Sequence, residues 1–136
     1  AALRLGMAFS SRKVIDVLNK IKPPYNINQA TQDLAFEALK NIAQVNDWIR
    51  ESVAERQRLS SELNNLNIVT KVYPSDANFI LTEVTDATKI YDTLVDEGII
   101  VRDRSKVILC EGCLRITVGT KDENDKLLTI LKNFKR

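Results

Sequence analysis

Short apolar runs separated by turn residues, beginning after residue 67, constrain the fold more than any other feature of this sequence. Each run has the length of a β-strand and is bounded by residues that favour turns, such as Pro74-Ser75-Asp76. We interpret as strands the runs 68–73, 78–84, 99–102, 107–110 and 114–118. Apolar residues at helical spacing predict helices over 86–97 and after the capping-box pair Thr120 and Glu123. This order of elements predicts an α+β fold, with helices covering one face of a small, mostly antiparallel sheet.

The first part of the chain predicts a helical arm in front of that body. The apolar stretch 3–9 has the character of a short buried strand, and Ser11 is a suitable N-cap for a helix that Pro23 and Pro24 end. Asn28 is placed to cap a second helix. A long amphipathic helix is predicted over about 46–65, where the composition changes.

The domain organisation follows from the size of these parts. Residues 50–136 are expected to form the α+β body, and residues 1–49 carry too little apolar surface to be a domain alone. The chain opens on apolar residues without a methionine. We therefore expect it to be a fragment of a larger protein.

Composition excludes several classes of function. Twenty basic and eighteen acidic side chains leave a net charge of +2, so neither nucleic acid nor a membrane surface is the expected partner. The absence of histidine excludes Ser-His-Asp and Cys-His catalysis and the commonest zinc ligand. Two cysteines without a secretory leader predict a cytoplasmic setting.

The two cysteines lie in the segment Cys110-Glu111-Gly112-Cys113, whose spacing is compatible with a redox pair or half of a zinc site. A zinc site needs four ligands, so no metal is expected. The flanking residues are typical of strands, and Glu111-Gly112 is therefore predicted to be a hairpin turn. A structural role is favoured, and a redox module remains an alternative.

Arginines interrupt apolar strands at three positions. Arg115 alternates with Leu114 and Ile116 and must point to the opposite face of its strand, and Arg102 ends a neighbouring run. Two arginines at the ends of adjacent strands can bind a carboxylate or a phosphate bidentately, but they could equally be solvated residues on an exposed face. Arg4 needs a partner too, either an anionic ligand or an ordinary ion pair.

Several segments together resemble one family. They are similar to the patterns AGLRLGYA, KPPYNVN, PSxANFIL, GIxVR and GCLRITVGT of histidinol-phosphate aminotransferases, at residues 2–8, 22–28, 73–81, 98–102 and 112–120. The matches occur in the family's order over nearly the whole chain. The chain is thus similar to fold-type I enzymes that depend on pyridoxal 5′-phosphate, and the 50–136 body to their small C-terminal domain.

This resemblance implies a reaction and roles for the arginines. The family converts histidinol phosphate and 2-oxoglutarate to imidazole-acetol phosphate and glutamate in histidine biosynthesis, as a homodimer. By position, Arg4 matches the arginine that binds the cofactor phosphate. Arg115 matches the arginine that holds the substrate carboxylate or the phosphate of histidinol phosphate, and Arg102 matches a second arginine at the substrate phosphate.

The chain also departs from the family pattern. The family's Schiff-base lysine lies just before the arginine matched by Arg4, outside these residues, so no catalytic residue is expected here and this chain alone is predicted to be inactive. Residues 1–49 would be the end of the large cofactor domain. The alternatives are another class I or II enzyme, such as an aromatic aminotransferase or a threonine-phosphate decarboxylase, and a non-enzymatic anion-binding module.

Overall fold

The computed structural model describes residues 3–134, and its contacts divide the chain into two compact units, 1–46 and 47–136. Within the described residues, no helix is both long enough and apolar enough to cross a membrane. The helices and strands, in chain order, are α1 (Arg12–Ile21), α2 (Gln29–Lys40), α3 (Ile42–Asn64), β1 (Val69–Val72), β2 (Phe79–Val84), α4 (Ala87–Asp96), β3 (Arg102–Asp103), β4 (Cys113–Thr117) and α5 (Lys121–Asn133).

The second unit contains a four-stranded sheet in the order β1-β2-β4-β3, with every neighbouring pair antiparallel. Successive residues of β2 alternate between half-buried and buried, as a strand covered on one face requires. Its buried residues pack in one cluster with residues of α3, α4 and α5, among them Leu59, Ile90 and Leu127. The predicted α+β fold, with helices over one face of a small antiparallel sheet, is confirmed.

Two of the predicted helix starts are confirmed by cap hydrogen bonds, whereas the Ser11 side chain at the start of α1 forms none. The side chain of Asn28 accepts a hydrogen bond from the Thr31 backbone N–H at 2.8 Å. Thr120 and Glu123 form a reciprocal capping box at the start of α5. Each cap satisfies backbone donors that the first helical turn leaves free, which explains why such local signals could be found in the sequence alone.

In the first unit the predicted strand over 3–9 is wrong. Leu3 lies in a turn, and residues 4–10 have no regular secondary structure. A strand requires a hydrogen-bonded neighbour, and among residues 3–46 the structure contains helices but no strand that could pair with it. Neither α1 nor α2 contains a buried residue.

Two of the later strand predictions are corrected as well. Of the run 99–102 only Arg102 belongs to a strand, because β3 pairs with β4 only through Arg102 and Asp103. The run 107–110 is not a strand, since consecutive turns there use the backbone groups that a sheet would need. Glu111-Gly112 does form a turn, but within the long loop from β3 to β4.

A polar network joins α3 to α5 beside the core. Arg58 donates to both carboxylate oxygens of Glu55 and forms an ion pair with Asp125 at 2.7 Å. The Nδ2 group of Asn124 donates to the same Glu55 carboxylate at 2.9 Å. The hydrogen bonds from Arg58, followed by that from Asn124, lower the pKa of the Glu55 carboxyl below its ordinary value of 4.5.

This lowered pKa predicts a stability that depends on pH. A carboxyl group with a lower pKa in the folded state stabilises that state above its unfolded value, and the contribution is lost as the pH falls through the folded pKa. We expect the free energy of unfolding to fall below about pH 4.5, and Glu55→Gln to remove part of that dependence. Urea unfolding of both proteins between pH 3 and pH 7, at about one-unit steps, measures it. Identical pH profiles would contradict the prediction.

Candidate anion-binding site

The structure brings two of the predicted site residues together. Arg115 on β4 lies directly opposite Arg102 on β3, and opposite Leu81 on β2. Its neighbours Leu114 and Ile116 are 1% and 2% exposed and belong to the core. Since side chains alternate along a strand, Arg115 and its cross-strand partner lie on the sheet face that the helices leave uncovered. We call this surface the open face.

The surroundings of Arg115 leave its hydrogen-bonding capacity largely unused. The carbon centre of its guanidinium group lies 5.1 Å from the centroid of the Phe79 ring, in cation–π geometry. Its Nε atom is buried and has no hydrogen-bond partner. Within residues 3–134, neither Arg115 nor Arg102 forms an ion pair. Like charges directly opposite on a sheet are unfavourable, and an anion bound between them would relieve this repulsion.

The acidic residue of β2 on the open face is already engaged by other groups. Glu83 lies opposite Lys71 on β1 and accepts a hydrogen bond from the Tyr73 hydroxyl at 3.3 Å. Burial, followed by the charge of Glu83, raises the pKa of Tyr73 above its ordinary value. The Nζ atom of Lys71 stands 4.5 Å from the centroid of the Tyr73 ring. Glu83 is therefore engaged with Lys71 and Tyr73. On β2 it lies two residues from Leu81, the residue opposite Arg115.

The sequence did not reveal the residues that hold Phe79 in place. The hydroxyl group of Ser75 donates to the Phe79 carbonyl at 2.6 Å and accepts from the Ala77 N–H at 3.1 Å. From α3, Arg56 donates to the Ala77 carbonyl at 2.9 Å, with its side chain only 15% exposed. An arginine on a charged helix carries no sequence signal for such a contact. The segment PSDANF, by contrast, could have indicated a tight turn before the strand.

Arg4 belongs to the other unit and is exposed. Its backbone φ of 52° lies in the left-handed region, which a residue with a side chain adopts at some cost. Within residues 3–134 it forms no ion pair, so its guanidinium group is free for an anion such as a phosphate group. The predicted role of Arg4 in binding the cofactor phosphate stays a prediction.

Stacking on Phe79 predicts a measurable contribution to anion binding at Arg115. Phe79→Leu keeps an apolar side chain but removes the ring, and a cation–π contact of about 0.5–1 kcal/mol corresponds to a two- to five-fold loss of affinity, roughly. Titration of the chain with phenyl phosphate, followed by the NMR signal of the Arg115 Nε–H group, measures this loss. Phe36→Leu on α2, where the ring is 65% exposed, is the matched control. Equal affinities for all three proteins would contradict the prediction.

The sequence of this chain matches a known protein family. The family model described as aminotransferase class I and II matches residues 1–131. Among curated relatives, the histidinol-phosphate aminotransferase of Cytophaga hutchinsonii is 54% identical over 98% of this chain, and that of Bacteroides thetaiotaomicron is 51% identical over 98%. This chain spans 38% and 39% of their respective lengths.

Solved structures agree with this result. The histidinol-phosphate aminotransferase of Clostridium acetobutylicum superposes with a TM-score of 0.77 at 26% identity, over 89% of this chain and 37% of that one. The L-threonine-O-3-phosphate decarboxylase of Porphyromonas gingivalis superposes with a TM-score of 0.72 at 23% identity, over 92% and 39%, and shows the fold alone. The expected fold-type I relationship is confirmed. On the family match and these identities together, the chain belongs to the class I and II aminotransferases.

Proposed function

We propose that these 136 residues form the C-terminal part of a histidinol-phosphate aminotransferase, which transfers the amino group of histidinol phosphate to 2-oxoglutarate. The observation that carries the proposal is the pair Arg102 and Arg115, two guanidinium groups side by side on the open face without an acidic partner among residues 3–134. Relatives of that name at about half identity support the choice of substrate.

The chemistry of the reaction explains why an arginine pair is useful. Histidinol phosphate carries a phosphate group, whereas 2-oxoglutarate and glutamate carry carboxylates. Arginine binds either anion through two parallel hydrogen bonds, so Arg115 can serve both half-reactions. Arg102, its cross-strand partner, adds a second positive charge that favours the doubly charged phosphate. Holding the anion fixes the position of the reacting carbon, which is the main contribution of such groups to the rate.

Pyridoxal 5′-phosphate supplies the electron sink for this reaction when it is bound. We propose that residues 1–49 belong to the domain that binds it, that residues 50–136 are the small domain, and that Arg4 holds the cofactor phosphate. The division of the chain near residue 46 and the exposed guanidinium of Arg4 support this assignment. The homodimer is proposed from the family resemblance.

The proposal predicts that the 136-residue chain does not transaminate. No position in it matches the family's Schiff-base lysine, so the amine that must exchange with substrate is missing. Addition of pyridoxal 5′-phosphate should give no internal-aldimine absorbance band that borohydride abolishes, and no glutamate from histidinol phosphate and 2-oxoglutarate. Either product would contradict this assignment.

A chimeric enzyme tests which substrate the proposed aminotransferase prefers. The matching 38% of the Cytophaga hutchinsonii enzyme is replaced by these 136 residues, whose sequence is 54% identical to it over the aligned part. We expect the chimera to transaminate histidinol phosphate in preference to phenylalanine and tyrosine, and not to decarboxylate threonine phosphate. A preference for an aromatic amino acid would favour the aromatic aminotransferases, and a folded chimera without activity on any of these substrates would favour a non-enzymatic anion-binding module.

A further inference from the structure

The two cysteines of the chain are the first and fourth residues of one tight turn. The Cys113 N–H donates to the Cys110 carbonyl at 2.9 Å, which closes a four-residue turn around Glu111 and Gly112. Gly112 has a φ of +69°, a conformation that glycine adopts without strain. In a turn closed by such a bond, the first and fourth Cα atoms are less than about 7 Å apart. Disulfides span about 4.4–6.8 Å between Cα atoms, so this backbone can accept one.

The two cysteines differ in solvent exposure, and therefore in their access to small disulfides. Cys113 is 1% exposed, whereas Cys110 is half-buried. A small disulfide in solution can therefore reach Cys110 but not Cys113. Within residues 3–134, no group of three or more His, Cys, Asp or Glu side chains could hold a metal ion, so the pair does not belong to a metal centre of these residues.

We propose that Cys110 and Cys113 form a reversible dithiol–disulfide couple that exchanges with small-molecule disulfides. The Cys110 thiolate attacks one sulfur of the small disulfide, and the released thiolate takes up a proton. The Cys113 sulfur then attacks Cys110, expels the second small thiol and forms the intramolecular disulfide. The protein loses two protons and two electrons, and the small disulfide takes them up and is reduced to two thiols.

The surroundings of Cys113 disfavour its thiolate. Burial, followed by the charges of Cys110, Glu83 and Glu111, raises the pKa of the Cys113 thiol. Strongly oxidising dithiols owe their potential to a stabilised thiolate in the reduced form. The charge of Lys71 acts the other way, but the net shift is upward, so the Cys113 thiolate is not stabilised overall. The pair therefore lacks the thiolate stabilisation that makes a dithiol strongly oxidising.

Intact-mass spectrometry of the 136-residue chain, incubated with oxidised and reduced glutathione at set ratios, tests the proposal. We expect the product to be the monomer minus two hydrogens, with no lasting glutathione adduct. A chain that keeps two free thiols, or that accumulates a glutathione adduct or a disulfide-linked dimer, would overturn it. Since the wild-type chain gives these results, the test does not depend on any variant folding.

Single-residue variants distinguish the proposed attacking thiol, Cys110, from the proposed resolving thiol, Cys113. Cys113→Ser should trap glutathione on Cys110, because the resolving sulfur is gone. Cys110→Ser should remain unmodified, because Cys113 is buried. Gly112→Ala strains the turn at positive φ and brings its new Cβ to 3.4 Å from the Val84 carbonyl, and it should slow the loss of the mixed disulfide several-fold. Glutathione trapped on Cys113 in the Cys110→Ser chain, or an unchanged rate in Gly112→Ala, would contradict the assigned order.

Discussion

Replacing Arg115 with alanine in the chimeric enzyme is expected to lower kcat/KM for histidinol phosphate by about a hundredfold. Truncating one partner of a hydrogen-bonded charge pair costs about 2–5 kcal/mol, and about 3 kcal/mol corresponds to that factor. The loss should appear with 2-oxoglutarate as well, because both anions are proposed to bind the same guanidinium group. Steady-state kinetics with each substrate varied in turn measures the effect.

Further variants distinguish the effect of the positive charge at Arg115 from the effect of its two parallel hydrogen bonds. Arg115→Lys keeps the positive charge but cannot form two parallel hydrogen bonds, and should recover only part of the lost activity. Arg102→Ala should affect histidinol phosphate more than 2-oxoglutarate, because a doubly charged phosphate gains more from a second cation. Arg104→Gln, just beyond β3, is the control with the same charge change and should leave the kinetics unaltered. Equal losses in Arg104→Gln and Arg115→Ala would indicate a general electrostatic effect and contradict a site at Arg115.

The parts of the fold that could be predicted from sequence are those that local chemistry decides. Caps such as Asn28 and the pair Thr120 and Glu123 satisfy backbone groups within one turn of their own helix. Alternation along β2 reports its burial directly. These signals need no knowledge of distant residues, and the helices and central strands therefore followed from the sequence.

The wrong strand predictions concern apolar runs for which the sequence does not show whether a neighbouring strand is available to pair with them. The stretch 107–110 is apolar, yet Ile108 and Leu109 are both 85% exposed, and Leu109 has a φ of 65°. Its backbone hydrogen bonds close turns with residues three positions away. Apolar composition favours a strand only where a neighbouring strand offers hydrogen bonds, and that depends on the tertiary fold.

At the candidate site, too, local features could be predicted from the sequence, whereas contacts between strands could not. Alternation with Leu114 and Ile116 predicted that Arg115 points away from the core, and the burial of both neighbours agrees. The exact register that sets Arg102 opposite Arg115 comes from strand pairing, which no sequence pattern specified. The stacking of Phe79 on the guanidinium group was missed for the same reason, since it joins residues on two strands far apart in the chain.

The largest effect on stability is expected at Asn124, which is 2% exposed and uses all of its polar groups. Its Oδ1 atom accepts from the Gly119 N–H at 3.0 Å, and its Nδ2 group donates to the Gly119 carbonyl at 3.0 Å and to Glu55 at 2.9 Å. It therefore joins α5 to α3 and to the turn that follows β4. A leucine of similar size would remove these three hydrogen bonds, and Glu55 would keep only those from Arg58.

Asn124→Leu is expected to lower the free energy of unfolding by about 3 kcal/mol, because three hydrogen bonds worth about 1 kcal/mol each are lost. Urea unfolding at pH 7 measures the loss, with Asn133→Leu, at the exposed end of α5, as the control that should change little. Asn124→Asp keeps an acceptor for Gly119 but sets a second carboxylate against Glu55, so its loss should be larger at pH 7 than at pH 4, where protonation relieves the repulsion. A loss in Asn124→Asp that does not depend on pH would show that Glu55 is not the partner that matters.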